Sequence, residues 1–281
     1  KGLVLDLRRN SGGSMHQSTR VADQFVSEGV LVRTAGRGGK PVPGLTREIT
    51  ASSSDTGLDF PVVVLIDEKT ASGAEIVAGA LVSLDRAVTI GSDSYGKGTV
   101  QKLYNLSKAV RLKMTVAEYR LAKDTKVADV GIKADILLGP VVFDKGTPRF
   151  VGWSPVDKSR PSFGYVWEER DEDDEQLSVP VSFAKKVVMK SLGGSRAQTL
   201  VALGSVASTW RGEQVEKIVS QMEQSGIDWS EDAGTGEPLE VATTLQITPS
   251  TAGEKGNLVT VGVTNLSESA ISKVVVTLSS T

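Results

Sequence analysis

Residues 61–84 read PVVVLIDEKTASGAEIVAGALVSL and combine two patterns that decide the fold. The first six residues are a continuous apolar run rich in β-branched side chains, which is typical of a strand buried on both faces of a sheet. From Ser72 to Leu84 the apolar residues recur at helical spacing and form one apolar face. The stretch therefore predicts a buried strand that leads into a helix, with Ser72 at the junction.

The same alternation of strand and helix continues on both sides of this stretch. Short apolar runs at residues 2–7 (GLVLDL) and 87–91 (AVTIG) predict two more buried strands, and residues 14–27 show helical spacing. An order of strand, helix, strand, helix, strand indicates a layered α/β core.

Two further strand patterns follow this core. Residues 99–106 (TVQKLYNL) and 109–122 (AVRLKMTVAEYRLA) alternate in the manner of antiparallel strands, whereas residues 131–140 (GIKADILLGP) suggest a loop. We expect the first compact domain to cover residues 1–143.

Beyond this domain the composition changes twice. We expect a charged linker and helical extension over residues 144–232, in which the acidic run EERDEDDEQ at 168–176 is a solvated loop. Its helical patterns occupy residues 182–192, 197–208 and 212–224. Residues 238–281 hold strand patterns separated by turn residues, which predicts a truncated, β-sandwich-like domain. Because the chain starts and stops inside strand patterns, we expect it to be a piece of a longer protein.

The composition excludes several functional classes. A formal net charge of −2 leaves no overall basic field to attract nucleic acid. Without cysteine there is no disulfide, thiolate nucleophile or cysteine-ligated metal. His16 is the one histidine, so a multi-histidine zinc site is excluded. A histidine-based serine triad would depend on His16, whose polar helical context indicates a solvent-exposed position.

The first candidate site is DLRRNSGG at residues 6–13, where a buried strand ends in a glycine turn. Paired glycines let the backbone approach a ligand and expose amide N–H groups. The same residues would also suit an ordinary strand-to-helix turn.

The second candidate is Ser72 in TASGAEIVAGAL, residues 70–81. Its hydroxyl would lie near a helix N-terminus, where free N–H groups and the positive end of the helix dipole can stabilise developing negative charge. Serine is also a common N-cap, and Glu75 three residues later fits a capping box. Position alone leaves both interpretations open.

The third candidate is Lys97 in GSDSYGKGTVQ, residues 91–101, directly after a buried strand. The motif is similar to a phosphate-binding loop, but residue 98 is glycine where a magnesium-binding hydroxyl is required. The residues that follow also lack the helical pattern that such a loop needs at that point. Nucleotide binding is therefore disfavoured.

Together these motifs resemble the signature of the carboxy-terminal-processing, or tail-specific, serine peptidases. In that family a strand ending in DLRxNxGG precedes an acidic-Thr-Ala-Ser stretch and the helix EIVAGAL, which correspond here to DLRRNSGG and DEKTASGAEIVAGAL. A G-K-G-x-V-Q element matches GKGTVQ at residues 96–101. The closing strand and loop match KMTVAEYRLA and GIKADI. The resemblance covers roughly residues 1–140.

The resemblance implies a Ser-Lys dyad, in which Ser72 is the nucleophile, Lys97 is the general base and Gln101 holds the lysine amine. A lysine accepts the serine proton only when neutral, so burial must lower its pKa from about 10.4. The glycines on both sides of Lys97 and the preceding core strand favour such burial. Gln101 is neutral and would orient the amine without raising its pKa.

The family resemblance also implies an oxyanion hole. It would use the backbone N–H of Gly73 and one from Gly12 or Gly13, with each donor contributing roughly 3 to 4 kcal/mol. Gly73 stands where alanine or serine is commoner in the family, which leaves the donor in place but is expected to loosen the turn.

On this resemblance we expect an α/β fold with a crotonase-like ββα core. The implied activity is that of a serine endopeptidase that cleaves proteins near exposed C-terminal tails through an acyl-enzyme, with no metal or organic cofactor. The resemblance also implies a preceding PDZ module outside this chain, export to the bacterial periplasm or envelope, and compatibility with a homo-oligomer. The alternative from another class is a non-catalytic peptide-binding scaffold of the same fold.

Overall fold

The computed structural model describes residues 1–52, 59–144, 147–150, 160–166, 175–224, 241–249 and 257–265. It contains two compact units. One unit comprises Lys1–Asp144 and Pro148–Val215, and the other comprises Lys145–Thr147 and Glu216–Thr281.

The described residues form four α-helices and twelve strands. The helices are α1 (Met15–Asp23), α2 (Gly73–Ser83), α3 (Glu175–Lys190) and α4 (Arg196–Gln224). The strands are β1 (Leu3–Asp6), β2 (Val30–Ala35), β3 (Glu48–Thr50), β4 (Val62–Ile66), β5 (Val88–Gly91), β6 (Thr99–Asn105), β7 (Arg111–Arg120), β8 (Ile136–Asp144), β9 (Thr147–Phe150), β10 (Ser162–Val166), β11 (Val241–Pro249) and β12 (Asn257–Asn265).

A parallel sheet forms the centre of the first unit. Its strands lie in the order β1-β4-β5-β8-β10, and β9 pairs with β8. Neighbouring strands in this order are parallel, as in the pairing of β1 with β4 and of β4 with β5. The predicted α/β architecture is therefore confirmed as a mixed fold with a parallel sheet, and the finer crotonase-like layering stays a prediction.

Strand β4 shows why its sequence is apolar without interruption. Alternate side chains point to opposite faces of a strand. Val62, Val64 and Ile66 belong to one core cluster, which includes residues of α2. Val63 and Leu65 belong to a second cluster, which includes residues of α3 and α4. All five are fully buried, so β4 is covered on both faces as its sequence predicts.

A second, antiparallel sheet has the order β3-β2-β7-β6. Strands β6 and β7 form the predicted antiparallel pair, in which Leu103 lies opposite Lys113. Residues 101–115 of this ribbon are exposed, including the apolar side chains of Leu106 and Val110.

Three expectations differ from the structure. The predicted loop at 131–140 is wrong over its second half, because Ile136–Asp144 is strand β8. Gly139 and Pro140 suggested a loop, but burial of apolar side chains such as Leu138 favours pairing with β5 and β10. The expected boundary at residue 143 also differs, since α3 and much of α4 belong to the first unit.

The third difference is that α4 is continuous where two helices were expected. Gly212 lies inside it, although a glycine in a helix interior costs about 1 kcal/mol relative to alanine. The buried side chains of Leu203 and Trp210 pack into the second core cluster, and this packing outweighs the local preference.

In the second unit, β11 and β12 are an antiparallel pair, as their sequence pattern predicts. The end of the predicted β-sandwich-like domain, residues 266–281, and most of the acidic run lie outside the described residues. Among the helices that are described, none has the length and apolar character needed to cross a membrane.

Candidate active site

The three candidate motifs meet at one edge of the central sheet. Strands β1, β4 and β5 are adjacent and parallel, and the motifs follow their carboxyl ends at Asp6, Ile66 and Gly91. Ligands in open α/β sheets bind outside the carboxyl ends of the strands. The fold thus brings together residues that are distant along the chain.

Hydrogen bonds join the glycine turn after β1 to the turn before α2. Thr70 is fully buried, and its hydroxyl donates to the carbonyl oxygen of Leu7 at 2.8 Å. The backbone N–H of Ala71 donates to the carbonyl oxygen of Asn10 at 2.9 Å. The Asn10 side chain in turn accepts from the N–H of Gly12 at 2.9 Å. The first two candidate motifs are therefore fixed against each other.

Ser72 occupies the N-cap position of α2 with an unusual backbone. Its φ of 55° and ψ of −117° lie outside the helical and extended regions. Such backbone strain costs on the order of 1–3 kcal/mol and persists only where neighbouring contacts impose it. A sharp, strained turn between a strand and a helix is also the way in which some hydrolases present a nucleophilic serine.

Gly73, the first residue of α2, is tightly enclosed. A Cβ atom placed on it would lie 2.5 Å from Ser18 Oγ and 2.8 Å from the backbone nitrogen of Gly13. Glycine is therefore the residue that fits this space, and the expected loosening of the turn stays a prediction. The three glycines expected to form an oxyanion hole, Gly12, Gly13 and Gly73, lie in one place.

Glu75 is fully buried and links the second motif to the third. Its Oε2 accepts from the backbone N–H of Ser72 at 2.7 Å and from that of Lys97 at 2.9 Å. Its Oε1 accepts from the backbone N–H of Gly96 and from the hydroxyl of Ser94, both at 2.6 Å. The capping contact expected of Glu75 is present, together with three contacts to the lysine loop.

Tyr119 in β7 contacts the same two loops through their carbonyl groups. Its hydroxyl lies 3.0 Å from the carbonyl oxygen of Ser72 and 2.6 Å from that of Lys97. Burial, and to a smaller extent the charge of Glu75, raises the pKa of this phenol well above its ordinary value. Tyr119 therefore stays protonated as a donor at neutral pH.

These contacts bring the main chains of Ser72 and Lys97 together. Both backbone nitrogen atoms bond to Glu75 Oε2, at 2.7 and 2.9 Å, so they are at most 5.6 Å apart. Both carbonyl oxygens lie within hydrogen-bond distance of the Tyr119 hydroxyl, at 3.0 and 2.6 Å, which sets the same upper limit.

The expected burial of Lys97 is wrong for this structure, in which Lys97 is exposed. The presence of glycine on both sides of Lys97 has another structural reason. A Cβ atom on Gly98 would lie 2.2 Å from the backbone nitrogen of Ala128, and Gly96, at φ +87°, is close to Gly131. The glycines bury the main chain of the loop, while the lysine side chain lies outside. Among the described residues no hydrogen bond joins Lys97 to Ser72 Oγ.

Gln101 and His16 are also exposed. Gln101 lies in β6 opposite Thr115, and no hydrogen bond within the described part of the chain joins its side chain to Lys97. The exposure predicted for His16 in α1 is confirmed. Metal-binding groups of three or more His, Asp or Glu side chains are also not found among the described residues.

The sequence interpretation missed two residues at this site. Glu75 was predicted only to cap α2, because its contacts to the lysine loop depend on tertiary structure. Tyr119 lies in a strand whose alternating pattern marks no single side chain, and no local signal distinguishes it.

Residues 1–138 match the model of Peptidase family S41. A carboxy-terminal-processing protease of Bartonella bacilliformis is 40% identical over 138 residues, which cover 49% of this chain and 31% of that protein. A carboxyl-terminal-processing protease of Synechocystis sp. is 35% identical over 134 residues, which cover 48% of this chain and 30% of that protein.

Among solved structures, a photosystem II D1 C-terminal processing protease is similar with 33% identity and a TM-score of 0.43, over 48% of this chain and 33% of that one. The chain thus spans about a third of the length of the relatives that it matches. The family match includes the three motifs at residues 6–13, 70–81 and 91–101. The segment of residues 1–138 therefore belongs to peptidase family S41.

Proposed function

We propose that this chain carries the catalytic core of a serine endopeptidase that cleaves proteins near their C-terminal tails by means of a Ser72–Lys97 dyad. The observation that supports it best is the shared tethering of the two residues, whose backbone nitrogen atoms are at most 5.6 Å apart through Glu75 Oε2 at 2.7 and 2.9 Å. Two relatives that match about half of this chain are named as carboxy-terminal-processing and carboxyl-terminal-processing proteases.

In the proposed reaction Ser72 Oγ attacks the carbonyl carbon of the scissile peptide while Lys97 Nζ accepts the hydroxyl proton. The tetrahedral intermediate then collapses, the C–N bond breaks, and the proton passes from Lys97 to the leaving amine. Water hydrolyses the resulting ester with Lys97 again as the base. The backbone N–H of Gly73, with that of Gly12 or Gly13, would stabilise the oxyanion.

The exposure of Lys97 sets a condition on this mechanism. An amine acts as a base only when neutral, and covering it with substrate removes water that would favour its charged form. We therefore propose that Lys97 becomes an effective base when a bound polypeptide covers it. Gln101, two residues into β6, would orient the amine in that complex.

The substrate and setting are part of the proposal. We expect the substrate to be a protein or peptide with an exposed C-terminal tail. We expect the reaction to need neither a metal nor an organic cofactor, and we expect the protein to be exported. The fold also remains compatible with a homo-oligomer.

A second candidate function is a non-catalytic peptide-binding scaffold. One observation favours it, namely that Lys97 is exposed and makes no hydrogen bond to Ser72 Oγ among the described residues. A scaffold would bind peptides at the same edge of the sheet without forming an acyl-enzyme.

Covalent labelling with a fluorophosphonate probe separates the two functions, because the probe modifies only activated serines. We expect labelling at Ser72 in the wild-type chain and none in Ser72→Ala or Lys97→Ala. Lys108→Ala, at the exposed tip of the β6–β7 ribbon, and His16→Ala are matched controls that should be labelled normally. A wild-type chain that is folded but unlabelled supports the scaffold, and full labelling of folded Lys97→Ala contradicts the dyad.

A further inference from the structure

We infer that Glu75 is a positioning residue, which together with Tyr119 fixes the separation of Ser72 and Lys97, and that this role exceeds that of a helix cap. The inference rests on the proposed function, since it concerns the geometry of the proposed dyad. Neither side chain is assigned to contact substrate.

The number and direction of the contacts at Glu75 carry the inference. A capping residue needs only the hydrogen bond from the N-cap backbone, which here comes from Ser72 at 2.7 Å. Glu75 accepts three more, from Lys97 N–H, Gly96 N–H and the Ser94 hydroxyl. These three donors all belong to the loop that carries the proposed base.

Glu75 forms a bridge of hydrogen bonds between Ser72 and the loop of residues 94–97, and this bridge requires a carboxylate. Each carboxylate oxygen of Glu75 accepts two hydrogen bonds, four in all, and an ionised carboxylate has acceptor sites on both oxygens. A glutamine of the same shape has one acceptor oxygen and an NH₂ group, which in either orientation would face at least one N–H donor without accepting from it. Since the site is fully buried, water cannot replace the lost contacts.

Tyr119 completes the bridge through the carbonyl groups of the same two residues, which belong to the next peptide group along the chain. Its hydroxyl has one proton and lies within reach of the carbonyl oxygens of both Ser72 and Lys97. Glu75 thus holds the N–H groups of the two residues and Tyr119 holds their carbonyl groups. Because the peptide groups before and after each of the two residues are restrained, the two side chains start from fixed positions.

The decisive comparison is between Glu75→Gln and Asp135→Asn. Asp135 is a largely buried carboxylate that accepts from Thr89 N–H at 2.8 Å and pairs with Arg196 at 2.6 Å, so its loss also destabilises the fold. It belongs to an ion pair with α4 and has no contact with Ser72 or Lys97. It therefore controls for general loss of stability.

The measurement is the rate of fluorophosphonate labelling of Ser72 per folded molecule, with kcat and KM for a cleaved peptide. For Glu75→Gln we expect labelling and kcat to fall about 100-fold, as a misplacement of about 1 Å can cause, with KM changed less than about twofold. Asp135→Asn should keep the wild-type rate per folded molecule. Folded Glu75→Gln that is labelled at the wild-type rate overturns the inference.

Tyr119→Phe is the second variant, for the case in which Glu75→Gln does not fold. It removes only the hydroxyl, and we expect labelling to fall about tenfold, equivalent to the loss of about 1.4 kcal/mol. A folded Tyr119→Phe chain with the wild-type labelling rate and kcat overturns the inference.

Amide hydrogen exchange distinguishes failure of this inference from failure of the proposed function. Faster exchange at both Ser72 and Lys97 N–H in Glu75→Gln supports the bridge, and unchanged exchange overturns it. A wild-type chain that is never labelled at Ser72 overturns the proposed function, whatever the exchange result.

Discussion

A Cβ atom on Gly12 would lie 2.5 Å from the backbone nitrogen of Gly73, so the glycine turn after β1 touches the start of α2. Gly12 also has a φ of +95°, a backbone conformation that residues other than glycine rarely adopt. The glycine turn can therefore lie close to the N–H of Gly73, a proposed oxyanion donor, because position 12 tolerates only glycine.

The first prediction compares alanine at the two glycines of this turn. Gly12→Ala should lower the free energy of unfolding by roughly 2–4 kcal/mol, because it combines backbone strain with overpacking. It should also abolish fluorophosphonate labelling in whatever fraction folds, because the start of α2 is displaced. Urea unfolding and labelling at Ser72 measure the two effects.

Gly13→Ala is the matched control for Gly12→Ala. A Cβ atom at Gly13 has no neighbour within 4 Å, and the substitution keeps the backbone N–H. We expect a change in stability within about 0.5 kcal/mol and unchanged labelling. Equal effects of the two substitutions would show that space around the turn does not decide its tolerance.

The second prediction concerns Gln101. Because its proposed contact with Lys97 is one neutral hydrogen bond worth about 0.5–1.5 kcal/mol, Gln101→Ala should lower kcat/KM by roughly 2- to 10-fold. Stability should be unchanged, since the side chain is exposed. A peptide-cleavage assay measures the effect, and a loss as large as that of Lys97→Ala would require a larger role for Gln101.

Much of the central sheet could be predicted from the sequence, because its strands carry a local signal. Strand β4 lies between two cores, so every residue is apolar, and the pattern is unambiguous. Strand β8 was missed because Gly139 and Pro140 resemble a turn, and its pairing depends on neighbours that are distant along the chain.

At the candidate site, sequence indicates which residues meet better than it indicates how they face. The motifs predicted that Ser72 and Lys97 come together, and their backbones are adjacent. The glycines around Lys97 were interpreted as a sign that its side chain is buried. In the structure they are required because the main chain of this loop packs closely against Ala128 and Gly131. A glycine in the sequence can indicate that the backbone is crowded at that position, but it does not predict the direction of the neighbouring side chain.

The third prediction concerns the ion pair between Arg196 in α4 and Asp135. Two hydrogen bonds, at 2.6 and 2.9 Å, join the partly buried groups, and hydrogen bonding to Asp135 is the main cause that raises the pKa of Arg196. Arg196→Met leaves the carboxylate without this partner, and we expect unfolding to become easier by about 3 kcal/mol.

The control for Arg196→Met is Arg33→Met in the second sheet. Arg33 pairs with Glu48 at 2.7 Å, but both side chains are well exposed, at 44% and 37%. Exposed pairs contribute about 0–1 kcal/mol, so a small change is expected in urea unfolding. Similar losses in the two variants would mean that burial does not determine the value of these pairs.

The fourth prediction follows from Tyr165, which is buried beside Trp210 in the second core cluster. Burial raises the pKa of its phenol to about 12, against a smaller opposing effect of the Arg8 charge. In the unfolded chain the phenol ionises near pH 10, whereas in the folded chain it keeps its proton until about pH 12. The folded state therefore binds the extra proton between these pH values, and stability must fall as pH rises through this range. The contribution is complete below pH 10 and decreases by about 1.4 kcal/mol per pH unit above it.

In urea unfolding from pH 8 to pH 11, Tyr165→Phe should show a correspondingly shallower alkaline loss of stability than the wild type, whereas Tyr95→Phe, at an exposed side chain, should keep the wild-type slope. Parallel curves for wild type and Tyr165→Phe above pH 10 would mean that the buried phenol does not control the alkaline limb.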